Sequence, residues 1–156
     1  MRKFLIFLAA DHAGFELKEH IKKHLQNLGF AVEDCGAFSY DPEDDYPEFI
    51  IKAAKKVSEN KGSKAIIFGG SGQGEAIVAN KVRRIRAAVF YGDNLEIISL
   101  SRAHNDANVL SIGARFVSIK KAVEAVNLWL KTGFSGEKRH VRRLSRIKEM
   151  EKSLFK

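Results

Sequence analysis

Short apolar runs alternate with stretches of helical period from one end of this chain to the other, and few folds accept that pattern. Residues 3–9 read as a buried strand. Residues 15–28 read as a helix, with Leu17, Ile21, Leu25 and Leu28 on one stripe and Gly29 stopping it. Residues 31–34 form a second strand, and a loop rich in Asp and Gly then runs to Pro47, where a helix begins that extends to about residue 59. Residues 65–68 are a third strand, followed by a glycine turn and a helix from 74 to about 82. Strands at 87–90 and 109–112 each precede a helix, at 95–103 and 119–130, and a basic helix over about 137–153 closes the chain. Strands alternating with helices imply right-handed crossovers and a parallel sheet covered on both faces. The expected fold is a three-layer α/β/α, Rossmann-like domain over residues 1–156 with a five-stranded parallel sheet. No linker, internal repeat or low-complexity segment interrupts it.

The length of 156 residues suits one domain with a full core. Hydrophobic residues at 45% and charged ones at 29% are the profile of a globular chain, neither disordered nor membrane-embedded. The longest apolar run, 4–10, is far too short for a membrane span. It follows Arg2 and Lys3 like the start of a signal peptide, but Asp11 and His12 break it and no small-residue cleavage site follows, so a cytoplasmic location is expected. The single Cys35 excludes an intrachain disulfide and a cysteine-built zinc site. Much of the formal charge of +8 lies in "EKRHVRRLSRIKEMEK", residues 137–152. An amphipathic helix whose Val141, Leu144, Ile147 and Met150 pack against something accounts for it as a solvated face. A nucleic-acid patch would account for it too, but no aromatic-rich or zinc-finger motif accompanies the charge. A third reading is that selected arginines bind a phosphorylated small molecule.

Ligands of open α/β sheets bind outside the carboxyl ends of the strands. Asp11 and His12 follow the first strand there, residues 69–75 the third and residues 113–115 the fifth. The glycine turn "GGSGQGE" fits neither familiar phosphate loop. A P-loop needs Lys and Ser/Thr after its last Gly, where Glu75 and Ala76 stand, and the dinucleotide pattern GxGxxG is out of register. What remains is a backbone able to point several N–H groups into one space at a helix start, a nest for a lasting or a fleeting anion. Removing a proton beside a carbonyl creates a fleeting oxyanion, and that chemistry needs both donors for the oxygen and a base over the carbon. Glu75 is either that base or an acid favoured in a first helical turn. Asp11 is either a helix cap or, with His12, part of a site. The polar cluster "SRAHNDANVL" holds Arg102, His104, Asn105, Asp106 and Asn108 just before the fifth strand, at the opposite end of the sheet by simple counting. In "RHVRR", Arg139 and Arg143 share one helical face and together suit a dianionic phosphate, whereas His140 and Arg142 read as solvated.

"ADHAGF", "DYP" (45–47), "GGSGQGEAIVANK", "SRAHNDANVL", "GAR" (113–115) and "RHVRR" occur in the order expected of the ribose-5-phosphate isomerase B family, which this chain resembles over about residues 3–147. That family also contains galactose-6-phosphate isomerase subunits and enzymes of allose 6-phosphate. The resemblance implies an aldose–ketose isomerase without metal or cofactor, working on a phosphorylated sugar as a homodimer with shared active sites. Pairing of dimers into tetramers stays open, and neither nucleic acid nor membrane is an expected partner. Much of the family has a Cys at the first position of the turn, where this chain has Gly69, and the chain is similar to the branch in which Glu75 is the base. By the same resemblance His104 opens the sugar ring and Asp11 contacts its hydroxyls. Ser71 and the backbone of Gly70, Gly72, Gln73 and Gly74 hold the enediolate. His12, Arg115, Arg139 and Arg143 contact phosphate, Asn105 contacts substrate, and Tyr46 lines the sugar pocket. Many members read "GGRH" where this chain reads "GEKRH" (136–140). The competing expectations are a six-carbon sugar phosphate as substrate, or a non-catalytic sugar-phosphate or nucleic-acid binding module.

Overall fold

The computed structural model describes residues 3–155, so Arg2 and the outermost ends of the expected domain lie outside it. Five parallel strands form one sheet: β1 (Ile6–Ala10), β2 (Val32–Asp34), β3 (Lys64–Gly69), β4 (Ala87–Phe90) and β5 (Val109–Gly113), in the order β2-β1-β3-β5-β4. Six helices accompany them: α1 (Phe15–Asn27), α2 (Tyr46–Glu59), α3 (Gln73–Ala79), α4 (Glu96–Ala103), α5 (Ile119–Lys131) and α6 (Lys138–Leu154). No helix among the described residues is long and apolar enough to cross a membrane.

The two-sided burial follows from the apolar runs. Along β1, Ile6, Leu8 and Ala10 face one way and join a core with Leu17, Ile21 and Leu25 of α1 and with Val126 and Trp129 of α5. Phe7 and Ala9 face the other way, against Ile50, Ala53 and Val57 of α2 and Ala79 of α3. Successive strand residues point to opposite faces, so a run without polar breaks is what a sheet sandwiched between helices requires.

Strand β1 begins at Ile6 rather than at residue 3, because its register starts where Val32 and Lys64 become available on either side. Helix α3 stops at Ala79, three residues before the expected end. The Asn80 side chain there accepts from the Ala87 N–H and donates to the Ala87 carbonyl, turning the chain into β4. The remaining boundaries match the sequence reading closely. The chain leaves β1 towards β2 on one side and crosses to β3 on the other, so the crevice between the carboxyl ends of β1 and β3 is the topological switch point.

Candidate active site

The glycine turn opens directly into that crevice. β3 ends at Gly69, beside Gly113 at the end of β5, and two bonds fasten the turn to the next loop. The Ala114 N–H donates to the Gly69 carbonyl at 2.8 Å and the Arg115 N–H to the Gly70 carbonyl at 3.1 Å. Ser111, fully buried in β5, donates its hydroxyl to the Gly72 carbonyl at 2.7 Å. Gly72 has φ 78°, a left-handed conformation that a side chain would strain. With the carbonyls of 69, 70 and 72 turned back into the protein, no bond among the described residues takes up the N–H groups of Gly70, Ser71, Gly72 or Gly74. The Gln73 N–H donates to Ser71 Oγ at 3.3 Å. The turn is therefore a set of main-chain donors held by their own carbonyls, the arrangement that receives a developing oxyanion without reorganising.

Glu75 lies in the first turn of α3 and is only 4% exposed. Its carboxyl group folds back over Gly69. A Cβ built on Gly69 would stand 1.8 Å from Glu75 Oε1 and 2.0 Å from its Cδ. Burial, and after it the nearby charge of Asp11, pushes the Glu75 carboxyl above its ordinary value of 4.5. An exposed acid merely complementing a helix start would not be buried this way. The shift moves Glu75 towards the range useful to a general base.

Asp11 and His12 flank the same crevice from β1. Asp11, 6% exposed, accepts from the Gly14 N–H at 3.2 Å, so it secures the turn before α1 and also faces Glu75. The Tyr46 ring at the start of α2 packs against Gly74, where a Cβ would stand 2.6 Å from its Cζ. The Arg115 guanidinium reaches over the turn, with Nη1 3.1 Å from the Cβ position of Gly70. Asp11, His12, Tyr46, residues 69–75 and Arg115 thus converge at one end of the sheet.

The other expected residues do not join them within the chain. His104 caps the end of α4, and Asn105 follows it, ahead of the first residue of β5. Gly113, beside the glycine turn, is the fifth residue of that strand, about 13 Å further along at the usual rise. Arg139 and Arg143 are exposed on α6, which returns to the His104 end. The expected site residues therefore lie at opposite ends of the sheet, as counting along the chain had suggested for "HNDAN". Part of that cluster is structural. The Arg102 guanidinium, 7% exposed, donates to Asp106 and to the carbonyls of Ala107 and Thr132. Asn108 ties itself to Arg86 N and the Arg84 carbonyl.

One expectation is corrected. His140 is not solvated but 3% exposed, because α6 folds back against the α4 end. Its ring stacks on His104 with centroids 4.2 Å apart, and Nδ1 lies 3.2 Å from the His104 carbonyl. Arg139 Nε, a donor only, points at His140 Nε2 at 3.0 Å, so Nε2 accepts and Nδ1 donates. Glu137, one of the residues by which "GEKRH" departs from "GGRH", pairs with Arg139 Nε at 3.0 Å.

The chain matches the sequence profile of the Ribose/Galactose Isomerase family over residues 6–147. It is 43% identical over 148 residues to "Ribose-5-phosphate isomerase B" of Mycobacterium leprae, covering 95% of this chain and 90% of that one. Among solved structures, ribose-5-phosphate isomerase B of Mycoplasma genitalium with bound ribulose-5-phosphate superposes with a TM-score of 0.92 at 38% identity, covering 97% of this chain and 99% of that one. The Clostridium thermocellum ribose-5-phosphate isomerase B gives 0.90 at 39%, with 96% and 99% covered.

Proposed function

The chain belongs to the ribose/galactose isomerase family, and we propose that it interconverts ribose 5-phosphate and ribulose 5-phosphate with Glu75 as the base. The observation that carries this reading is the Glu75 carboxyl, buried over Gly69 at the start of the turn whose N–H groups at residues 70, 71, 72 and 74 have no partner among the described residues. In the ring-opened aldose, Glu75 takes the proton from the second carbon and the electron pair moves onto the carbonyl oxygen. The enediolate charge then rests on the N–H groups of Gly70, Ser71, Gly72 and Gly74, with the Ser71 hydroxyl beside them. The same carboxyl returns the proton to the first carbon while the hydroxyl proton of the second carbon passes to the first oxygen, so that the carbonyl re-forms on the second. Asp11 orients the sugar hydroxyls, and the Tyr46 ring walls the pocket. His12 and Arg115 serve the phosphate from this chain's crevice. Assay of purified protein for ketose formation from ribose 5-phosphate, in the presence of a chelator, gives full activity under this proposal. Preference for allose 6-phosphate or galactose 6-phosphate in the same assay would reassign the substrate.

His104, Asn105, Arg139 and Arg143 complete the site from a second copy of the chain. Two observations support a dimer of that kind. The residues needed for ring opening and phosphate binding lie at the wrong end of the sheet to reach their own Glu75. The apolar stripe of α6 also finds little cover within the chain. Val141, Ile147 and Met150 are 47%, 42% and 59% exposed, and α6 leaves a groove of about 890 Å³ against the body, lined by Val141, Leu144, Ile147, Lys64 and Arg86. Closed twofold pairing places each copy's α4 and α6 ends at its partner's crevice. In a mixture of Glu75→Gln and His104→Asn chains refolded together, each mixed dimer has one site with both defects and one intact site. Activity should recover to about a quarter of wild type although each variant alone is inactive. No recovery on mixing would place both residues in the same chain's site.

A further inference from the structure

His12 is held by a residue that no motif singled out. Its main-chain N–H donates to Asp44 Oδ1 at 2.9 Å, and its ring Nδ1 lies 2.8 Å from the same oxygen. Asp44 comes from the loop between β2 and α2, 32 residues along the chain. A carboxylate only accepts, so Nδ1 carries the proton and points inward. Nε2 then faces away from Asp44 and has no hydrogen-bond partner among the described residues, on a side chain that keeps 26% of its exposure. The Asp44 side chain is 8% exposed, and its Oδ2 is buried with no hydrogen-bond partner among the described residues. Burying a carboxylate oxygen without a partner is costly, and a cation held against the other oxygen is what offsets it. The loop's other acids, Asp41, Glu43 and Asp45, are exposed, so this one is placed rather than merely tolerated.

We propose that Asp44 is a positioning residue for substrate binding: it fixes the His12 ring with Nδ1–H inward and keeps it positively charged, so that Nε2–H donates to the sugar phosphate. This rests on the assignment of His12 to the phosphate under the proposed function. A dianion is better held by a charged donor than by a neutral one. The groups facing His12 are Asp44, Asp11 and Arg115, with the edge of Tyr40 at 6.4 Å. The Asp44 hydrogen bond foremost, and the charges of Asp11 and Asp44 after it, raise His12 above its ordinary 6.5, while desolvation and Arg115 oppose them. The imidazolium is present below the raised value and lost as pH rises through it, so phosphate affinity falls on that limb. Asp44→Asn keeps an acceptor oxygen and removes the charge, and the fall should then begin at lower pH.

The test is an NMR titration of the His12 ring in substrate-free wild type and Asp44→Asn, each with and without inorganic phosphate, the resonance being assigned by its loss in His12→Gln. Wild-type His12 should titrate above 6.5 and move further up with phosphate, and in Asp44→Asn it should titrate below its wild-type value. In kinetics near neutral pH the variant's loss should fall on KM for ribose 5-phosphate rather than on kcat. A wild-type ring titrating at or below 6.5, or one unmoved by the substitution, overturns the proposal, and the wild-type measurement stands even if the variant does not fold. Because the titration needs no turnover, a His12 that behaves as stated in a protein that fails to isomerise ribose 5-phosphate would sink the reaction and spare the anion site.

Discussion

Glu75→Gln should lower kcat by about 10²–10⁴-fold and leave KM near its wild-type value. The amide has the volume of the carboxyl and fills the same space over Gly69, so packing and the main-chain donors stay as they are. What it cannot do is take a proton from carbon. Under the proposed mechanism the carboxyl acts in both proton transfers at carbon and not in holding the substrate, so its loss appears in turnover and not in substrate binding. The pH profile of the native enzyme carries the same signature. If Glu75 is the base, it must be ionised to act, and because burial and Asp11 raise it, kcat should fall as pH drops through a value above 4.5, the ordinary carboxyl value. A Gln variant keeping more than about a tenth of native turnover would remove Glu75 from the chemistry.

Gly69→Ala should come close to the same loss without touching an ionisable group. The added Cβ would lie 1.8 Å from Glu75 Oε1, closer than atoms can approach, so one of them must move. The obstructing atoms are the free end of a flexible side chain, so the chain folds and the carboxyl swings aside. The thermal midpoint should therefore change by only a few degrees, about what a ΔΔG near 1 kcal/mol produces in a domain of this size, while kcat falls roughly 10²-fold or more. Combining the two substitutions should add little to Glu75→Gln alone, since both remove the same group from the same place. Near-native kcat in Gly69→Ala would mean that the carboxyl does its work from somewhere else. A Cys at position 69 would grow from the Cα over which the Glu75 carboxyl lies here, so a side chain at 69 and this placement of Glu75 exclude one another.

A residue can look solvated from its sequence neighbours and yet be buried. His140 read as a solvated member of a basic run, because neighbours in "KRHVRR" are charged and a helix offers them water. Its burial depends on where α6 turns back, and nothing near it in sequence encodes the contact with His104, 36 residues earlier. Ser111 left a weak signal, a hydroxyl between Leu110 and Ile112 in an otherwise apolar strand, where a buried polar group must find a partner. Asp44 left none, being one acid among several in "DPEDDYP".

The amino-acid order by itself determined the layers, the parallel sheet and the boundaries of most elements, because period and punctuation are local properties that neighbours decide. It also put Asp11, His12, the glycine turn and Arg115 at the carboxyl edge of the sheet, since each directly follows a strand. Tertiary structure alone buried the Glu75 carboxyl over Gly69, a contact that arises only when α3 folds back on β3. It alone placed the α6 arginines at the far end from that crevice, where counting had already put His104, and it alone brought Asp44 to His12. Those are distances between segments far apart in the chain, and they are set by how the helices pack on the sheet rather than by any residue's near neighbours.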